Sequence, residues 1–197
     1  MESLEVAVPA ALGRHPAVVA VRLVGSRARG EAAALSDWDF IVETGDFGSV
    51  AADIEGLVAP LDPIAQQWDR LSQEWCYMLM LRGPVKIDLI FDRRHEHEPP
   101  WSPSPQTVVR IDRHFWDWIL WLATKEAAGK RELVESELDK LSGHLLEPMG
   151  VGDAPGSLRD AAELYLQARD ELERRFDIRV PRDLEREVLP VVWRVSN

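Results

Sequence analysis

Apolar and polar residues along this chain change rhythm about halfway. The run 17–24 is short, rich in β-branched residues and closed by Gly25, the pattern of a buried strand. A second run, Trp38-Asp39-Phe40-Ile41-Val42-Glu43, ends at Thr44-Gly45-Asp46, and the spacing of Val50, Ile54, Leu57 and Val58 then predicts a helix over 47–61. A short helix or turn over 27–34 lies between the two strands, so the order reads strand, crossover, strand, helix. Residues 74–82 and 85–91 form two further strands around Gly83-Pro84, a pair suited to a hairpin turn. With a period of two, Val85, Ile87, Leu89 and Phe91 share one face of the last strand, and Lys86, Asp88 and Ile90 the other.

The segment Glu98-Pro99-Pro100-Trp101-Ser102-Pro103-Ser104-Pro105 carries four prolines and can be neither helix nor central strand, which marks a connection between two halves. Beyond it the period is helical. Val108, Ile111, Phe115, Trp118, Ile119 and Leu122 recur at threes and fours, and Trp116, Leu120 and Trp121 widen that face enough to imply burial on more than one side. A second helix over 131–141 is expected to stop at Gly143. Ser157 caps a third, whose stripe is Leu158, Ala161, Tyr165, Ala168, Leu172 and Phe176, and a short last helix begins at Pro181 and falters at Pro190. The fold class is α+β: a mixed β-sheet with flanking helices in 1–98, followed by a C-terminal helical bundle in 106–197.

Composition narrows the function. With 197 residues and 46% apolar content, the chain can bury a sizeable core without staples. Its single cysteine, Cys76, sits in an apolar run, so it reads as a buried, inert thiol in a reducing compartment. The first dozen residues lack a basic start and a long apolar middle, and no later stretch is long enough to span a bilayer, so a cytoplasmic, soluble protein without membrane attachment is expected. A net charge of −11 weighs against nucleic-acid partners, whose phosphates reward clustered Lys and Arg, while cationic small molecules remain compatible.

The stretch Val24-Gly25-Ser26-Arg27-Ala28-Arg29-Gly30 to Ser36-Asp37-Trp38-Asp39-Phe40 stands apart from this pattern of core and surface. Asp37 and Asp39, one residue apart at a strand start, leave the same face of a sheet; Asp88 lies mid-strand, opposite its apolar neighbours. Three converging carboxylates repel one another unless a cation neutralises them, and magnesium, which prefers hard oxygens and is commonly shared with a nucleotide's phosphates, suits such a set. Gly25 permits close backbone approach, Ser26 offers a hydroxyl and an amide, and a helix N-terminus opening there attracts anions. Arg27 and Arg29 add positive charge. Elsewhere, His95-Glu96-His97-Glu98 beside the proline-rich connection reads as a solvated loop, and Arg93-Arg94 is too brief for a nucleic-acid patch.

Gly25-Ser26, a spacer of about ten residues, Asp37-Trp38-Asp39 and the later Ile87-Asp88-Leu89 resemble the signature of the DNA-polymerase-β-like nucleotidyltransferase superfamily. The wording is similar to the small bacterial members, which include aminoglycoside and lincosamide adenylyltransferases and minimal nucleotidyltransferase antitoxins. The resemblance implies that an acceptor hydroxyl attacks the α-phosphate of a nucleoside triphosphate, with ATP as the expected donor and pyrophosphate leaving. It implies two Mg2+ ions held by Asp37, Asp39 and Asp88, a nucleotide site including Gly25, Ser26, Arg27 and Arg29, and Asp88 or a carboxylate of the helical half as base. Asp112-Arg113-His114-Phe115-Trp116-Asp117-Trp118 and Lys125 are similar to the helix that follows the catalytic domain in antibiotic-modifying members, where the helical part covers the cleft. Lys125 would reach the nucleotide phosphates or serve as an ordinary helix-end cation, and the tryptophans read foremost as packed core. The implied acceptor is a hydroxylated small molecule such as an aminoglycoside-like polycation; the alternative is an antitoxin-type enzyme that nucleotidylates a partner protein. A homodimer stays open.

Overall fold

Among the described residues, five strands form one sheet in the N-terminal half of the chain, and seven α-helices are shared between the two halves. The computed structural model describes residues 3–96, 98 and 100–195. It divides into two compact units, Met1–His97 and Glu98–Asn197.

In the first unit, α1 (Leu4–Leu12) precedes β1 (Val18–Val24), α2 (Gly25–Ala28), β2 (Trp38–Thr44), α3 (Phe47–Val58), β3 (Ala65–Trp68), β4 (Glu74–Leu81) and β5 (Val85–Arg94). The sheet order is β1-β2-β5-β4-β3. Only β2 and β5 run parallel; the other three pairings are antiparallel, so the sheet is mixed and the unit is α+β as expected. One expectation is corrected. The two first strands are antiparallel neighbours, not strands joined by a crossover. A parallel return needs an element long enough to cross the sheet face, and the four residues of α2 only turn the chain at the sheet's end.

The expected hairpin is present, with β4 and β5 closing at Leu81 opposite Val85. Gly83 adopts φ +95°, which a residue with a side chain rarely takes. Leu89, Phe91, Phe40, Val42, Tyr77 and Leu79 on one sheet face pack with Val8 and Leu12 of α1 and Val50, Ile54 and Val58 of α3 in a single buried cluster. Asp46 caps α3 by accepting from the Ser49 amide at 3.2 Å. Two elements had no sequence signal strong enough to read: α1, which contains Pro9, and β3, whose Gln66 and Gln67 break the apolar run of a four-residue edge strand. Cys76 is buried on β4.

In the second unit, α4 (Val108–Ala127), α5 (Arg131–Leu141), α6 (Leu158–Phe176) and α7 (Asp183–Val195) form the helical bundle, with α4 packed against the other three. Gly143 does not stop the second helix. Its backbone avoids the left-handed region, and the chain continues through a π turn, Ser142–Leu146, and a 3-10 turn, Glu147–Met149, until Gly150 reverses at φ +94°. Nor does α7 falter at Pro190. Its buried stripe of Leu184, Val188, Val191 and Val192 runs across the proline, and that packing offsets the cost of about 3 kcal/mol carried by a helix-interior proline. Ser157 caps α6 as read, accepting from the Asp160 amide at 3.1 Å.

Trp116 is fully buried, edge-on to Tyr165, and Phe115 stacks on the same ring with centroids 3.8 Å apart. Beneath them lies a charged group no apolar pattern announces: Asp112 Oδ1 accepts from Tyr165 Oη at 2.5 Å and from Trp116 Nε1 at 3.0 Å. Arg169 stands 3.8 Å from Asp112 and 2.7 Å from Glu185, which ties α4, α6 and α7 together through one buried network. Of the residues read as a loop and connection, His97 and Pro99 lie outside the described residues, while the His95 ring packs against Trp75 at 4.3 Å.

Candidate active site

The parallel pair β2 and β5 sets Asp39 directly opposite Asp88, with Phe40 opposite Leu89 and Trp38 opposite Ile87. Register partners on adjacent strands share a face and lie about 4.8 Å apart, so the two carboxylates leave the sheet side by side, on the face opposite the apolar cluster. Across the same row lie Val24 of β1 and Met78 of β4. The alternation that buries Phe40, Val42, Leu89 and Phe91 is what turns Asp39 and Asp88 outward together.

Asp37 is placed by other means. Strand β2 starts at Trp38, so alternation does not reach it. Arg27 holds its segment: Nε donates to the Ser36 and Asp37 carbonyls at 3.0 and 3.1 Å, and Nη2 donates to Ser36 at 2.6 Å. The guanidinium also lies 4.2 Å over the Trp38 ring. Burial lowers the Arg27 pKa, and the charges of Asp37 and Asp39 act against that shift, which puts both acids within electrostatic reach of one cation. Arg27 therefore spends these donors on backbone carbonyls and positions Asp37. Ser36 folds the rest of the loop, its hydroxyl accepting from the Ala33 amide at 2.9 Å.

Gly25 takes φ +70°, and a Cβ there would collide with Asp39 Oδ2. The turn is thus built to pass against that carboxylate. The expected helix N-terminus shrinks to four residues, too few to sum a useful macrodipole, so what the turn offers an anion is the Ser26 hydroxyl and local amides. Gly25→Ala is expected to cost about 1–2 kcal/mol through its left-handed backbone and to displace the Asp39 carboxylate, and thermal unfolding of the variant beside the wild type checks that cost.

Of the remaining residues named from sequence, Arg29 is exposed and paired with Glu31 at 2.7 Å. Lys125, in the last turn of α4, sits 4.9 Å from the Trp121 ring centroid. One residue had no assigned role. Lys86 is 6% exposed, and its Nζ lies 2.5 Å from Asp88 Oδ1. The signal was in the strand: residues two apart share a face, so Lys86 and Asp88 are obligatory neighbours.

Among the described residues, no group of three or more His, Cys, Asp and Glu side chains is assembled to hold a metal ion. The chemistry of the acidic residues still fits a hard divalent cation, because Asp39 and Asp88 present carboxylates from neighbouring strands and the missing Cβ of Gly25 leaves Asp39 room. Also among the described residues, no helix is long and apolar enough to cross a membrane.

No family model matches the sequence, and no curated protein matches it. Among solved structures, the chain is similar to the crystal structure of an aminoglycoside 6-adenyltransferase from Bacillus subtilis, at 11% identity and a TM-score of 0.40, over 100% of this chain and 99% of that one.

Proposed function

We propose that this chain is a magnesium-dependent nucleotidyltransferase that moves a nucleoside monophosphate, AMP from ATP, to a hydroxyl of a small molecule. The observation that carries the reading is the placement of Asp39 opposite Asp88 with the Gly25 turn against the Asp39 carboxylate. Asp37 and Asp39 hold the metal, Ser26 and the amides beside Gly25 receive phosphate oxygens, and Arg27 keeps the Asp37 segment in place. Magnesium supplies neutralisation of the triphosphate and polarisation of its α-phosphate. Asp88 receives the proton of the acceptor hydroxyl. The acceptor oxygen then bonds to the α-phosphorus as the bond to the β-phosphate bridge breaks, and pyrophosphate leaves.

The acceptor we favour is a hydroxylated polycation of the aminoglycoside kind. A net charge of −11 suits a cationic substrate. A helical unit beyond the sheet supports a small-molecule enzyme over a minimal antitoxin-type catalytic domain. Incubation with ATP, Mg2+ and a panel of hydroxylated antibiotics, followed by mass spectrometry, should show one panel member gain 329 Da, about the mass of an adenylyl group. Pyrophosphate release that no panel member stimulates would reject the acceptor class, and magnesium-dependent ATP binding without any release would reject turnover.

A further inference from the structure

We propose that Arg22 holds the β- and γ-phosphates of the donor nucleotide and takes up the charge of the departing pyrophosphate. The inference rests on the reading above and deepens it. Among the described residues β1 pairs with β2 alone, and its register sets Val24 opposite Asp39 and Arg22 opposite Ile41. Opposed residues share a face. Arg22 therefore stands on the side of the sheet that carries Asp39 and Asp88, while Val21 and Leu23 turn toward the apolar cluster. Its neighbours along β1 on that face, Ala20 and Val24, are apolar, so this edge of the acidic face owes its positive charge to Arg22.

The order of the strands decides what meets that arginine. Asp88 lies on β5, Asp39 on β2 between the two others, and β1 on the side away from Asp88. In the transfer, the acceptor oxygen bonds to the α-phosphorus and gives its proton to Asp88. The bond from that phosphorus to the bridging oxygen breaks, and its electron pair leaves with pyrophosphate. Attacking and departing oxygens stand roughly in line. A nucleophile arriving over β5 thus sends its leaving group toward β1, two strand spacings or about 10 Å away. Ser26, just past the end of β1, and Arg22, two residues before Val24, bracket phosphates that lie over Val24.

The present partner of Arg22 is easily exchanged. Nε and Nη2 both donate to one oxygen, Glu43 Oε1, at 3.2 and 3.0 Å, and not to two oxygens in the fork that holds a carboxylate hardest. The two side chains are 58% and 45% exposed, and an ion pair so open to water contributes little. Phosphate offers the same guanidinium several anionic oxygens in the planar geometry that suits it. Arg22 leaves Glu43 when nucleotide arrives, and Glu43 competes with the phosphates for it.

Binding of the α,β-methylene analogue of ATP with Mg2+ to the full chain tests this, by titration calorimetry on wild type, Arg22→Gln and Glu43→Gln. Both substitutions break the same exposed ion pair, so a merely structural role for it moves both affinities together. The expected result is a loss of about fivefold or more for Arg22→Gln, and a loss of less than about twofold, or a gain, for Glu43→Gln. A smaller loss in the first variant, or a larger one in the second, overturns the assignment. No binding of the analogue to the wild type would defeat the nucleotidyl-transfer reading itself, whereas wild-type binding that Arg22→Gln leaves intact removes Arg22 alone.

Discussion

Asp39→Asn is expected to yield a folded chain whose proposed nucleotidyl transfer falls by about a thousandfold, the scale of several kcal/mol of lost charge stabilisation at the reacting phosphate. Asparagine keeps the volume of the side chain and fits the space that Gly25 leaves, so the local backbone has no reason to move. Stability is carried elsewhere: β2 is bonded to β1 on one side and β5 on the other, and its inward residues Phe40 and Val42 are 0% and 1% exposed. What is lost is a charged hard-oxygen ligand, and an amide oxygen is a weaker one for magnesium. Pyrophosphate release measured alongside thermal unfolding separates the two effects. A folded variant that keeps a rate within about tenfold of wild type would take Asp39 out of the chemistry.

The same residues show what could be read in advance. Alternation along 85–91 places Lys86 and Asp88 on one face and their apolar neighbours on the other, and the structure has that arrangement because the apolar face is buried under α1 and α3. Which strand lies next to β5 is a different kind of fact. Strands β3 and β4 intervene in sequence between β2 and β5, so the pairing that joins Asp39 to Asp88 is non-local and leaves no mark in either segment alone. Arg27 was legible as a charge but not as a strut, because its partners are backbone carbonyls that any sequence presents. Gly25 was legible as a point of close approach, yet the group approaching it is the carboxylate of Asp39, fourteen positions on. In the helical unit, apolar spacing from Val108 to Leu122 located α4. The spacing could not say that Asp112 belongs to the buried set, since besides Trp116 of its own helix its partners Tyr165 and Arg169 come from α6, with α5 and two turns between them in sequence.

Asp112 carries the largest expected effect on stability. Burial raises its pKa from 3.8 to about 6, against the pull of the Tyr165 hydroxyl, the Arg169 charge and the Trp116 donor. In the unfolded chain the same group ionises near 3.9. Between about pH 4 and 6 the folded state thus holds a proton that the unfolded state has lost. Stability then falls as pH rises through that window, by up to roughly 3 kcal/mol once both states are ionised. Glu173 runs the other way. Burial acts to raise its pKa, but the Val180 amide and Arg182 outweigh it and hold it low, so its contribution is present above pH 4.5 and fades as the pH drops below that. The two windows separate, and the difference between wild type and a variant that cannot titrate at this position, followed by urea unfolding from pH 4.5 to 7, reads Asp112. Asp112→Asn keeps an acceptor for Tyr165 and Trp116 and cannot titrate, so its slope over this range should be flatter than that of the wild type, with stability at pH 7 within about 1 kcal/mol. Asp112→Leu keeps the branched shape but leaves Tyr165 Oη and Trp116 Nε1 without their acceptor and Arg169 with Glu185 and Asp170 as its carboxylate partners; it should cost about 3–5 kcal/mol. Equal slopes in wild type and Asp112→Asn would mean that the charge inside this bundle is not what the pH dependence measures.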